Sequence, residues 1–296
     1  MIKLTQMILL LALSPSLFAT AIDLFSNGRV STSLVPDRHY VAPTGSEFQS
    51  IIRNMEGEER EEAILDQVLR GNIPSFLREM VPIKFSKRIA GKDYAATIYV
   101  ASDYLSIGND DDYFRAPLNL HSARIVADEF NVLLPTRTIV KLIHKSAIAK
   151  LKPTPLPPGS SMTSTEYFVS HNALIDTQLS EKGIEPGQLV AGHKKDVVIS
   201  TKLNHNPQAI AIYGWHRPNG SIIQPLSVVH GAEYADYSHG IRMVSNIVEI
   251  NGQEYSLKEV LKHPSMSYIF SDEGPVSIDP VTQVAENKGS GLILNN

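Results

Sequence analysis

Between residues 58 and 70, apolar side chains recur three and four apart, with Ile64, Leu65, Val68 and Leu69 following the acidic Glu58, Glu59, Glu61 and Glu62. That spacing predicts a helix, and negative charge in its first turn favours its dipole. Residues 95–101 (AATIYVA) form a largely apolar run of strand length that delivers the chain to Ser102-Asp103-Tyr104 and then to Gly108-Asn109-Asp110-Asp111-Asp112. Loops at strand ends often carry functional side chains. Two further helices are expected, one over 122–130 and one after Pro135 with Ile139, Val140, Ile143, Ala147 and Ile148 on one face. Four prolines and a glycine in 152–161 (KPTPLPPGSS) bar a helix there and mark a linker or surface strap. Thr163-Ser164-Thr165-Glu166 then matches a capping box opening a helix to about residue 180, which Gly183 can end.

Beyond residue 188 the pattern changes. Residues 189–200, 209–215, 222–230 and 241–244 are rich in β-branched side chains, and Asn251-Gly252 marks a hairpin turn after 247–250. A short helix over 257–262 follows Ser256, with Glu259 completing a second capping box. No internal repeat interrupts this order. Helices grouped first and strands grouped later predict an α+β fold, a helical N-terminal half packed with a C-terminal antiparallel β-sheet. The expected division is a mainly helical region over 46–151, the strap over 152–161, and an α+β sheet region over 162–296 sharing one globular unit with the first.

The N-terminus reads differently. Lys3, an apolar run from residue 7 to 18 and Ala19-Thr20-Ala21 form the pattern of a secretory signal peptide over 1–21. The run is too short for a hydrocarbon core that needs about 20 residues, so the expectation is export to the periplasm or beyond, without stable membrane insertion. Residues 22–45 have no period and read as an extended lead-in.

Composition narrows the chemistry. The 296 residues contain no cysteine, which excludes thiol nucleophiles, thiolate zinc sites and disulfides. A net charge of -4 gives no overall basic field for nucleic acid. The G-x-S-x-G, P-loop, H-E-x-x-H and G-x-G-x-x-G patterns are all missing.

Histidine is the anomaly, since six of ten (His171, His193, His205, His216, His230 and His239) lie between residues 171 and 239. Imidazole exchanges protons near neutral pH, so a cluster of them on one sheet suggests a site. The densest block runs from His230 to Arg242. Here His239 is the candidate general acid or base, His230 its partner or a metal ligand, Arg242 the stabiliser of a carboxylate or oxyanion, and Tyr237 or Ser238 the neighbouring hydroxyl. A flat strand would turn His239 and Arg242 to opposite faces, so a site using both needs a bend, which Gly240 can supply. Trp215 with His216, and His193 with Asp196, are candidate substrate-binding pairs. The Lys194-Lys195 pair between the last two also fits a solvated loop. Asp103, Asp110, Asp111 and Asp112 could act as paired carboxylates in glycoside hydrolysis, bind Ca2+ or form a polar turn. No obligatory metal or cofactor is expected.

His230-Gly231 and Ser238-His239-Gly240-Ile241-Arg242-Met243 resemble the motif of L,D-transpeptidases, which cross-link peptidoglycan through a cysteine following Ser-His-Gly. Here Ile241 follows Gly240 directly, and the interval between the two His-Gly pairs is shorter than in that family. The resemblance spans about 14 residues and does not carry the activity with it. Residues 191–243 are similar to uncharacterised secreted bacterial proteins, which implies location alone. His193 and Asp196 resemble the His and Asp of peptidoglycan metallopeptidases, without their spacing or a His-x-His. The resulting expectation is an exported hydrolase or lyase acting on peptidoglycan or another polysaccharide of the bacterial cell envelope. The alternative is a non-catalytic envelope or glycan-binding protein.

Overall fold

A computed structural model describes residues 30–31 and 34–276, so the expected signal peptide lies outside the described residues. In chain order the first elements are β1 (Val30–Ser31), α1 (Gly45–Ile51), α2 (Gly57–Leu69), β2 (Glu79–Ile89), β3 (Lys92–Val100), β4 (Ser106–Gly108) and β5 (Tyr113–Arg115). Next come α3 (Leu120–Glu129), β6 (Val132–Leu133), α4 (Arg137–Ser146), β7 (Ala149–Lys150), α5 (Thr165–Glu181), β8 (Val190–Ala191) and β9 (Lys195–Val197). The rest are β10 (Ala209–His216), β11 (Ile222–Gly231), β12 (His239–Gly240), β13 (Val244–Ile250), β14 (Gln253–Ser256) and α6 (Leu257–Lys262).

The helices are therefore scattered among strands, and the expected helical half packed on one C-terminal sheet is overturned. The region over 46–151 contributes the long hairpin β2–β3, closed by Ala90 (φ 48°) and Gly91 (φ 82°) in the left-handed conformation a two-residue hairpin turn demands. Val81, Ile83 and Phe85 do alternate with Lys84 and Ser86, but Pro82 argues against a strand. Proline is tolerated here because β1 pairs only with Glu79 and Met80, so among the described residues the outer edge at Pro82 has no ladder partner to lose.

The strands of the second half do not form one antiparallel sheet either. β13 crosses back to pair with β3, giving a sheet of order β1-β2-β3-β13-β14 with β6 also on β13. The others form a second sheet, β11-β10-β9-β12, whose β9–β12 pair is parallel. Hydrophobic periodicity reports which face of a strand is buried but not which strand is its neighbour.

One apolar core joins both sheets. It includes Ile98 and Val100 of β3, Ile139 and Ile143 of α4, Ile212 of β10 and Val244 and Val248 of β13. A smaller cluster under α5 gathers Leu151, Ile175, Leu179 and Val190. α5 is capped by Ser164, whose side chain accepts from the Tyr167 N–H, one residue later than the cap the sequence pattern indicates. No helix among the described residues is long and apolar enough to cross a membrane.

Candidate active site

Three segments meet where the two sheets join. After β3 the chain runs beside residues 241–243, as the Ala101 N–H donates to the Met243 carbonyl (2.9 Å) and the Leu105 N–H to that of Ile241 (2.8 Å). The Val190 N–H donates to the Ser102 carbonyl (3.0 Å), bringing β8 and β9 alongside. Close approach at this seam requires Gly240, because a Cβ there would lie 2.5 Å from the Tyr104 ring.

Asp103 is the centre of the first charged group. Its Oδ2 accepts from Arg115 Nη2 (2.7 Å) and Nε (2.8 Å), and its Oδ1 lies 3.0 Å from His193 Nε2. Arg115, at the end of β5, also donates to Asp176 Oδ1 (2.7 Å) and Asn172 Oδ1 (3.1 Å) on α5. Burial alone would raise the Asp103 carboxyl, yet the Arg115 guanidinium and then His193 hold it well below the usual carboxylate range. An ionised carboxylate only accepts, so His193 Nε2 must donate and the neutral ring keeps its lone pair on Nδ1. That Nδ1 is buried and has no hydrogen-bond partner. Burial, outweighing the neighbouring carboxylate, pushes His193 down to about 4, so the ring is neutral at pH 7.

Tyr104 links this pair to Asp196. Its ring is edge-on to His193, with centroids 4.8 Å apart, and its hydroxyl donates to Asp196 Oδ2 (3.1 Å). Burial, only partly opposed by Arg242, pushes the Asp196 carboxyl up to about 7. The Arg242 guanidinium lies 4.1 Å from the Tyr104 ring centroid and donates to the carbonyls of Ala101 (3.0 Å) and Val190 (2.9 Å). It therefore ties β12's exit to the other two segments.

The second group surrounds Asp236. Its Oδ1 accepts from the Ser238 N–H (2.8 Å) and the Ser238 hydroxyl, while its Oδ2 lies 3.6 Å from Lys195 Nζ and 3.9 Å from His239 Nε2. Neither ring nitrogen of His239 has a hydrogen-bond partner. Half-buried His230 stacks on Tyr234 (4.1 Å), whose ring meets His239 edge-on at 5.6 Å. The structure thus brings His230 and His239 together through Tyr234, whereas Arg242 faces Tyr104 instead.

Lys194 and Tyr237 lie between the groups. The Lys194 ammonium donates to the Tyr237 carbonyl (2.7 Å), and burial pushes its pKa down to about 7. Trp215, Tyr237 and His171 pack edge-on around one another, with centroids 5.0 to 6.5 Å apart. Trp215 holds φ 51°, a strained value for a bulky residue that costs about 1–3 kcal/mol and is offset in part by its indole N–H donating to the His193 carbonyl (3.1 Å). His216 turns toward α4 and stacks on His144 (4.5 Å). Over this centre lies the 152–161 strap, fixed at Lys152 by Gln178 and at Leu156 by its N–H donating to the Tyr237 hydroxyl (2.8 Å).

Some of these roles escape sequence reasoning. Arg115 and His171 stand alone in their segments and carry no motif. Lys194 and Lys195 are buried rather than solvated. The available signal was their position between the apolar runs Leu189-Val190-Ala191 and Val197-Val198-Ile199. Of the four aspartates singled out, only Asp103 joins the site. Asp110 accepts from the Ser75 N–H (2.6 Å) and Asp112 from the Ser46 N–H (3.0 Å), both as turn anchors, and the Asp111 N–H donates within the turn to Asn109 (3.0 Å). Among the described residues no group of three or more His, Cys, Asp or Glu side chains is arranged to hold a metal ion. Comparison with family models, curated proteins and solved structures yields no match.

Proposed function

We propose that the chain is an exported enzyme that cleaves a cell-envelope or related polysaccharide, by hydrolysis or elimination, with His193 as general base. The buried Asp103–His193 pair carries this reading. Asp103, held ionised by Arg115, fixes the ring tautomer, and the free Nδ1 lone pair takes a proton from water or from a carbon beside a carboxylate. Asp196, bonded to the Tyr104 hydroxyl and half-protonated near pH 7, is the matching acid for the leaving oxygen. Tyr104, in contact with both residues, sets their separation. His239, paired with Asp236, is the second histidine of the site.

The near-complete burial of these groups favours the second reading, a non-catalytic glycan-binding or structural protein. Incubation with peptidoglycan and with acidic polysaccharides separates the two readings, through new reducing ends, free amines or unsaturated sugars. The enzyme reading expects product from the parent protein and at least a hundredfold less from His193→Gln, which retains a donor toward Asp103 and melts as the parent does. Absence of product, or product undiminished in His193→Gln, refutes it.

A further inference from the structure

Lys194 is buried to 1% exposure, and none of the ion pairs among the described residues includes it. An ammonium has three donors, and the Tyr237 carbonyl takes one. Against the same Tyr237 packs His171, fully buried, with neither ring nitrogen hydrogen-bonded. Beside Trp215 lies Lys195, its Nζ 5.1 Å from the ring centroid and its carboxylate contact a loose 3.6 Å. Buried polar groups ordinarily find partners, and a buried charge without one costs several kcal/mol. The unused capacity here includes several donors: two N–H groups of Lys194, one ring N–H of His171, and Lys195. Arg115 and Arg242 add positive charge to the same seam, inside a chain whose overall charge is negative. A group that only accepts hydrogen bonds and carries negative charge suits these donors.

We propose that Lys194, His171 and Lys195 form a carboxylate-binding subsite, and that the substrate is a polysaccharide of acidic sugars whose carboxylate seats there. This inference rests on the polysaccharide reading above for its sugar and on the unpaired donors for its charge. The carboxylate oxygens accept from Lys194 and His171, and Lys195 closes from the Trp215 side. A carboxylate held here by cations also acidifies the adjacent C–H, which suits His193 as base.

Trp215 is the single tryptophan of the chain, so its fluorescence reads this subsite directly. Tetragalacturonate is titrated against the neutral maltotetraose on the whole protein. The expected result is a saturable change with tetragalacturonate and at least tenfold weaker binding of maltotetraose. Lys194→Met should abolish the preference while the protein still folds, since an apolar side chain of similar length removes a poorly compensated buried ammonium at the loss of one hydrogen bond to the Tyr237 carbonyl. Equal responses to the two sugars, no response to either, or a preference retained in Lys194→Met overturns the proposal. Selective binding without cleavage supports the subsite and removes the catalytic reading, whereas cleavage of acidic and neutral polymers alike does the reverse.

Discussion

Acidification from pH 7.5 to 5 should destabilise this protein through its buried histidines. His171, His193 and His239 are fully buried, and burial pushes them down to about 2, about 4 and about 4. The unfolded chain protonates its histidines near 6.5. Below that value the unfolded state takes up protons that the folded state refuses, so the stability present above pH 6.5 is lost as pH falls. At pH 5 each ring removes about 2 kcal/mol. Asp196 acts in the opposite sense, because its folded carboxyl, pushed up to about 7 by burial, gains a proton before the unfolded one does and returns about 2.5 kcal/mol. Glu61 and Asp176, also raised by burial, oppose the loss, whereas His144 and His216, lowered by burial, add to it. A net loss of about 3 kcal/mol or more is a large fraction of the 5–15 kcal/mol typical of folded domains. Urea unfolding followed by circular dichroism at pH 7.5, 6 and 5 measures it. His171→Phe should recover about 2 kcal/mol at pH 5 and little at pH 7.5. An unfolding free energy constant to within about 1 kcal/mol over that range would refute the assignment of buried neutral imidazoles.

Four substitutions test other parts of the molecule. Asp103→Asn removes the acceptor-only partner of His193 and the counter-charge of Arg115, so turnover should fall about 10²- to 10⁴-fold and stability by about 3–5 kcal/mol; a parent-like melt would sink the charge argument. Tyr237→Phe deletes the hydroxyl that accepts from Leu156, and limited proteolysis should cut the strap faster with a stability loss of only about 1 kcal/mol; unchanged cutting means the strap is held elsewhere. Gly240→Ala drives a methyl into the Tyr104 ring and should lower both melting temperature and turnover, while a neutral effect would show that the seam can widen. Ile143→Ala, at a position 2% exposed on α4, should cost about 2–5 kcal/mol in denaturant unfolding without changing the pH dependence of activity.

The local elements were the legible part of the sequence. α2, α3, α4, α5 and α6 show themselves by stripes and caps, and the β13–β14 turn by Asn251-Gly252, because these signals are written within a few residues. The pairing of β3 with β13 was not legible, since nothing in Ile98 or Val248 names the other as its neighbour. β2 carries a divided signal, since Pro82 speaks against a strand and only the edge beside it, unpaired among the described residues, resolves the conflict. The histidine cluster pointed to the stretch from His193 to Arg242, several of whose side chains, His193, His239 and Arg242 among them, the fold buries at the seam between the sheets. The partner that gives His193 its geometry, Asp103, is 90 residues upstream, and its bracing arginine sits on a two-stranded ribbon without any motif. Chemistry assembled from distant segments leaves no spacing to read.

The tie made by Arg242 has a consequence for how the protein matures. Its guanidinium joins carbonyls 141 and 52 residues earlier in the chain, and the Asp103–His193 contact spans 90. Contacts this remote close slowly, after local helices and the β2–β3 hairpin have formed. Until then Asp103 and Arg115 wait on one side of the strap, and His193, Lys194 and Arg242 on the other, as solvated charges in an incompletely closed chain. Cleavage within the strap before closure would yield an N-terminal piece holding Asp103 and Arg115 and a C-terminal piece holding His193 and Arg242. Co-refolding of the two pieces should then restore the Asp103–His193 contact that each lacks.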